Sequence, residues 1–165
     1  LYNYLPYNEN IIITHRNILQ DYAIECYSHK VYNEAIFKEA YETNLALLEL
    51  QDGSYCESEA YYKIGQCFEY LSLMAKEREL EQKEYRYTLI SGIFFELSLD
   101  CNDYQESQFY GYSYFQCATL LDRLVRNYDV YDVDLCNKAI EYYQIAITQL
   151  PINSNNRKTC IRKYF

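Results

Sequence analysis

The chain has 165 residues, half of them in the apolar set, a formal net charge of -9 and a pI near 4.7. That length suits one domain with a sizeable core, and the acidic balance argues against DNA or RNA as a partner, because phosphate-backbone binders present basic patches. Four Gly and two Pro are too few for a β-sandwich, which needs turn signals every ~8–12 residues, so the expected class is all-α.

In chain order, LYNYLPYNEN reads as an irregular lead-in. Thr14 is a good N-cap, and Ile18, Leu19, Tyr22, Ala23, Cys26 and Tyr27 recur at three and four residues, predicting a first helix from Thr14 to about Val31. Ala35, Ile36, Ala40, Tyr41, Leu45, Leu47, Leu48 and Leu50 predict a second, stopped by the turn chemistry of Asp52, Gly53 and Ser54. A third helix begins near Glu57, with Tyr61, Ile64, Gly65, Phe68, Leu71, Ser72 and Ala75 on one face, and passes into KERELEQKE, a solvated helical run of mixed charge. A fourth, from about Tyr85 to Leu99, contains LISGIFFELSL and is apolar on nearly all sides, hence central to the core. A fifth runs from about Glu106 to Asn127, with Tyr110, Tyr114, Cys117, Leu121, Leu124 and Val125 inward. NKAIEYYQIAITQL forms a sixth, ended by Pro151, which cannot donate the next helical hydrogen bond. A seventh starts at 154. Consecutive amphipathic helices on short turns lie antiparallel and cover one another's apolar faces.

The 22 Tyr and 7 Phe, with no Trp, place much aromatic area at the boundary between core and solvent. Seven Cys without a C-x-x-C pair read as buried free thiols of a reducing compartment. His15 and His29 have no metal-ligand spacing, and neither follows a Glu by three residues as a di-iron helix site requires. No metal or cofactor is expected. No glycine-rich phosphate loop or nucleophile–base pair points to an enzyme, and no apolar stretch approaches the ~20 residues of a membrane span. The expectation is a single soluble, cytoplasmic helical domain over residues 1–165.

ITHRNILQDYA, with Arg16, Asn17, Ile18 and Leu19, resembles the helix opening "RNLL" of the 14-3-3 family. LALLEL followed by ESEAYYKIGQCFEYLS is similar to that family's "LSLLE" helix end and its "YYRYLAE" helix, with Lys63, Gly65, Phe68, Tyr70 and Leu71 matching. FYGYSYFQCATLL, KAIEYYQIAITQL and NNRKTCIRKYF follow in the family's order, Gly111 falling on its glycine. The resemblance covers about residues 14–165. It departs from the family in having no counterpart of the two N-terminal dimerisation helices, and a much shorter connection between Glu34 and Thr43. It implies an antiparallel helical array of the 14-3-3 type, with right-handed stacking like that of tetratricopeptide proteins, and an adaptor that holds a phosphoserine or phosphothreonine peptide of a partner protein in a concave groove. The family dimer is in doubt here.

The family grips phosphate with guanidinium forks, an ammonium and a tyrosine hydroxyl, which suit a group of charge near -1.5 to -2. Carried over residue by residue, its groove lysine falls on Ile24, its first arginine on Val31 and its second on Glu69; only the tyrosine, Tyr70, is kept. The backbone-clamping asparagine falls on Phe115, with Gln116 beside it as a substitute amide. Tyr114, Ala118, Ile161 and Tyr164 fall on the apolar wall. Lys30, Arg123 and Arg126 are the basic groups that could rebuild a pocket. A carboxylate ~4 Å from a phosphate is repelled by about 4 kcal/mol per unit charge at an effective dielectric of ~20, where an arginine would gain as much. The expected groove therefore lacks the usual phosphate pocket. The rival reading is a tetratricopeptide or SNAP-like scaffold: Ala139, Tyr143, Ala146 and Pro151 have the spacing of such a repeat's second helix, but no 34-residue period connects them to NEAIFKEA.

Overall fold

The structure, a computed structural model, describes residues 9–49, 56–101, 103, 107, 109–128 and 132–164. Within them the chain forms seven helices and no strand: α1 (Glu9–Ser28), α2 (Glu34–Glu49), α3 (Glu57–Glu77), α4 (Glu81–Asp100), α5 (Tyr110–Asn127), α6 (Val133–Gln149) and α7 (Asn155–Tyr164). Each helix packs on the next, and α1 also touches α3 while α5 touches α7. The odd-numbered helices thus form one layer, with each even-numbered helix laid against its two chain neighbours. None of these helices is long and apolar enough to cross a membrane.

Several boundaries differ from the periodicity reading, each for a local reason. Thr14 is not an N-cap, because helical geometry already begins at Glu9; residues 1–8 of the expected lead-in lie outside the described residues. The run KERELEQKE is not continuous helix. At Glu79 the backbone turns left-handed, with φ 57°, the Glu79 amide donates to the Lys76 carbonyl at 2.9 Å and the Leu80 amide to the Ala75 carbonyl at 2.9 Å. This double closure is a Schellman motif. The same device ends α1: Lys30 has φ 60°, its amide donates to the Tyr27 carbonyl at 2.9 Å and the Val31 amide to the Cys26 carbonyl at 2.8 Å. Arg78 then ties the end of α3 to the start of α2, donating to the Glu34 carboxylate and the Tyr32 carbonyl at 2.9 Å each.

The expected start of the fifth helix at Glu106 lies outside the described residues, and helical geometry there begins at Tyr110. Helix α6 starts earlier than expected because the Asp132 carboxylate accepts from the Asp134 amide at 2.8 Å, an N-cap. Its end at Gln149, before Pro151, is as the sequence reads.

Aromatic and small side chains share the core. Ala23, Phe37, Ala40, Cys67, Leu71 and Met74 join α1, α2 and α3; Tyr62, Phe95, Cys117 and Leu120 join α3, α4 and α5; Ala118, Tyr143, Ala146, Leu150 and Cys160 join α5, α6 and α7. Close approach depends on two glycines. A Cβ at Gly65 would lie 2.8 Å from the Phe95 ring, and one at Gly111 would lie 2.9–3.0 Å from Gln149 and the Leu150 amide nitrogen.

Helix α4 corrects the expectation of an all-round apolar core helix. Its fully buried face is Thr88, Ser91, Phe95 and Ser98, while Leu89, Ile93 and Leu97 are exposed. The hydroxyls form the seams: Ser72 bonds Thr88 at 2.7 Å, Ser91 donates to the Gly65 carbonyl at 2.8 Å, and Ser98 bonds Ser113 at 2.8 Å. Small hydroxyl side chains let the helices approach while each of these hydroxyls keeps a hydrogen-bond partner, so they take interior positions that hydropathy assigns to Leu and Ile.

Candidate functional site

Helix α1 buries only part of the face its apolar spacing suggests, with Ala23 in the core and Leu19 and Tyr27 packed against it, and turns polar residues inward as well. Ile18 and Tyr22 are exposed, whereas Arg16 and Gln20 are almost wholly buried. The Gln20 amide donates to the Gln66 side-chain oxygen of α3 at 2.7 Å, while Gln20 Oε1 is buried without a partner among the described residues. Lys63 lies one turn before Gln66. Burial lowers the Arg16 and Lys63 pKa values; for Lys63 the neighbouring Arg16 charge adds to this, and Asp21 and Glu59 oppose it. The Lys63 ammonium also sits over the Phe109 ring, 5.0 Å from its centre, a cation–π contact.

Lys63, Gln66 and Glu69 succeed one another at three residues on α3, so they share one face of it. Glu69 is partly covered and turned toward α5, where its carboxylate accepts from the Gln116 amide at 2.9 Å. Burial raises the Glu69 pKa above the ordinary carboxylate value, opposed by the charge of Arg123, two turns beyond Gln116 on α5, and by the Gln116 bond. Tyr62 is buried beside the same pair, and its phenol is pushed up by burial and by the Glu69 charge.

A third bridge continues the series, from Asp122 of α5 to Lys163 of α7 at 2.7 Å. Gln20–Gln66, Glu69–Gln116 and Asp122–Lys163 thus stitch the odd-helix layer from end to end.

The residues singled out by the resemblance separate into two groups. Glu69, Gln116 and Arg123 come together between α3 and α5. Ile24 is a half-covered α1 position, and Lys30 and Val31 are exposed in the turn that ends α1. Tyr70 packs, with its ring 5.2 Å from Tyr27 and stacked 5.4 Å from Phe37, so burial raises its pKa. Ala118 is fully buried against α6 and α7 and does not line an open groove. Phe115 packs on that same cluster, and Tyr114 lies edge-on to Tyr142 of α6 at 5.6 Å.

Ile161 is exposed, and the Tyr164 hydroxyl accepts from the Gln144 amide of α6 at 2.6 Å. The Arg126 Nε pairs with Asp122 at 2.5 Å, and the same carboxylate holds Lys163. Sequence reasoning missed Arg16, Gln20, Lys63 and Gln66 as a polar unit; the signal available was their four- and three-residue spacings on two helices.

Among the described residues no group of three or more His, Cys, Asp or Glu is arranged to hold a metal ion. What the α3–α5 face can do chemically is donate and accept hydrogen bonds and attract a cation at Glu69, beside apolar and aromatic side chains. No protein-family model, curated protein or solved structure matches the chain.

Proposed function

We propose that the chain is a 14-3-3-like adaptor whose odd-helix layer holds an unphosphorylated segment of a partner protein. The observation that carries the reading is the direction of Glu69: at the position where the family resemblance expects an arginine, a carboxylate faces α5 and is fixed by Gln116. An anion brought there meets like charge, whereas a Lys or Arg side chain of a ligand meets an acid whose burial strengthens the attraction. Gln66 and Gln116 supply amides for an extended backbone, and the charge of Arg123 acts on the acid, which limits the ligand to one basic side chain in this stretch rather than a basic run.

The test is selection from two peptide libraries, one fixed on central serine and one on central phosphoserine, with randomised flanks. The serine library should yield binders enriched in Lys or Arg at one position, and Glu69→Gln should abolish that enrichment. Binders drawn mainly from the phosphoserine library, or none from either, would end the proposal.

A further inference from the structure

Helix α4 carries an apolar stripe that no other described element covers. Leu89, Ile93 and Leu97 stand at four-residue spacing, and Ile93 at the centre is 57% exposed. Single exposed apolar residues are ordinary. Three in line are not isolated here, because they adjoin a cleft of about 160 Å³ between α4 and α5 walled by Leu89, Ile93, Leu121 and Leu124.

The charges on this face are arranged symmetrically. At about 100° per residue, Arg86 and Asp100 project within about 20° of Ile93, one seven residues before it and the other seven after. Both are exposed, and neither makes an ion pair with a described residue. Two other α4 charges are engaged elsewhere, Lys83 with Glu34 at 3.9 Å and Glu96 with Lys138 at 2.6 Å.

In an antiparallel pair of identical helices related by a two-fold axis through Ile93, each residue meets the one equally far on the other side of the centre. Ile93 then meets Ile93, Leu89 meets Leu97, and Arg86 meets Asp100, twice over. A parallel pair would set Arg86 against Arg86. We propose that a second copy of this chain docks on α4 in this antiparallel arrangement, forming a two-fold dimer. The self-complementary order of charge, apolar centre and opposite charge favours a second copy over an unrelated helix, which would have no reason to match signs mirrored about Ile93. A contact built on one helix face falls at the small end of specific interfaces, below ~1,200 Å² in total, so the dimer dissociates in the micromolar range. The α4 face lies in the even-helix layer, leaving the α3–α5 site free in both copies.

Sedimentation velocity over low-micromolar to submillimolar chain tests this. The wild type should shift from monomer to dimer, and Ile93→Asp should remain monomeric with unchanged far-ultraviolet circular dichroism, since Ile93 belongs to none of the three core clusters. Arg86→Asp and Asp100→Arg should each weaken dimerisation at least about tenfold, on the scale of a close charge pair, and the double swap R86D/D100R should restore it. A wild type that stays monomeric throughout, leaving the stripe to another protein, overturns the proposal. So does a dimer indifferent to Ile93→Asp, or one that the double swap fails to recover.

Discussion

Glu69 shows how one side chain couples site and stability. Burial raises its folded-state pKa above the ordinary 4.5, with Arg123 and Gln116 opposing. Between the unfolded and folded values the folded chain binds more protons, so stability falls as pH rises through that window, and the penalty is complete above the folded pKa. Glu69→Gln removes the penalty and keeps an acceptor for the Gln116 amide. Urea unfolding should show the substitution more stabilising at neutral pH than near the ordinary carboxylate pKa; an equal effect at both would contradict the burial account. Glu69 stood out in the sequence as a lone charge in an apolar run, and Gln116 as an amide, but their bond to each other was not legible there. The burial of Gln20 was not legible either, because a polar residue on a helix reads as solvent-facing until a partner distant in the chain, here Gln66, is seen to accept its amide proton.

At the scale of the element, the two left-handed turns at Lys30 and Glu79 close α1 and α3 with the same pair of backbone bonds, and neither uses glycine. A side chain in this conformation costs about 1–2 kcal/mol relative to the right-handed region, which glycine largely avoids. Lys30→Gly and Glu79→Gly should therefore each stabilise the fold, by about 0.5–1 kcal/mol after the extra freedom of glycine in the unfolded chain is deducted, read as a rise in thermal midpoint. A fall in midpoint for both would show that the side chains, not the backbone geometry, hold these turns. The missing glycine is also why KERELEQKE reads as uninterrupted helix, whereas Pro151 marked the end of α6 plainly.

At the scale of the molecule, packing runs mainly from each helix to its chain neighbours, so protection should differ along the array. Cys67 of α3, Cys117 of α5 and Cys160 of α7 are buried free thiols, and burial pushes Cys67 up to about 12 and Cys160 up to about 11. All three should resist alkylation in the native state. In rising urea Cys160 should be modified first, because α7 has only ten residues and packs on α5 and α6, and Cys67 last, because α3 is held by α1, α2 and α4. Mass spectrometry of the alkylated peptides gives the order; native Cys67 reacting as fast as half-exposed Cys136 would refute it.

Composition and periodicity by themselves determined that this chain is helical and roughly where each helix lies. These follow from local rules: the scarcity of Gly and Pro, the three-and-four spacing, and stops such as Pro151. The spacing also gave the buried face of α3, where Ile64, Gly65, Leu71, Ser72 and Ala75 are interior as expected, but tertiary structure alone decided the polar members of the buried faces of α1 and α4. The interior faces of α1 and α4 include Arg16, Gln20, Thr88 and Ser91, while Ile18, Leu89 and Ile93 stay outside. The reason is that period reports how often apolar groups recur, whereas burial depends on whether a polar group finds its partner across the layer, and that partner lies tens of residues away in the chain.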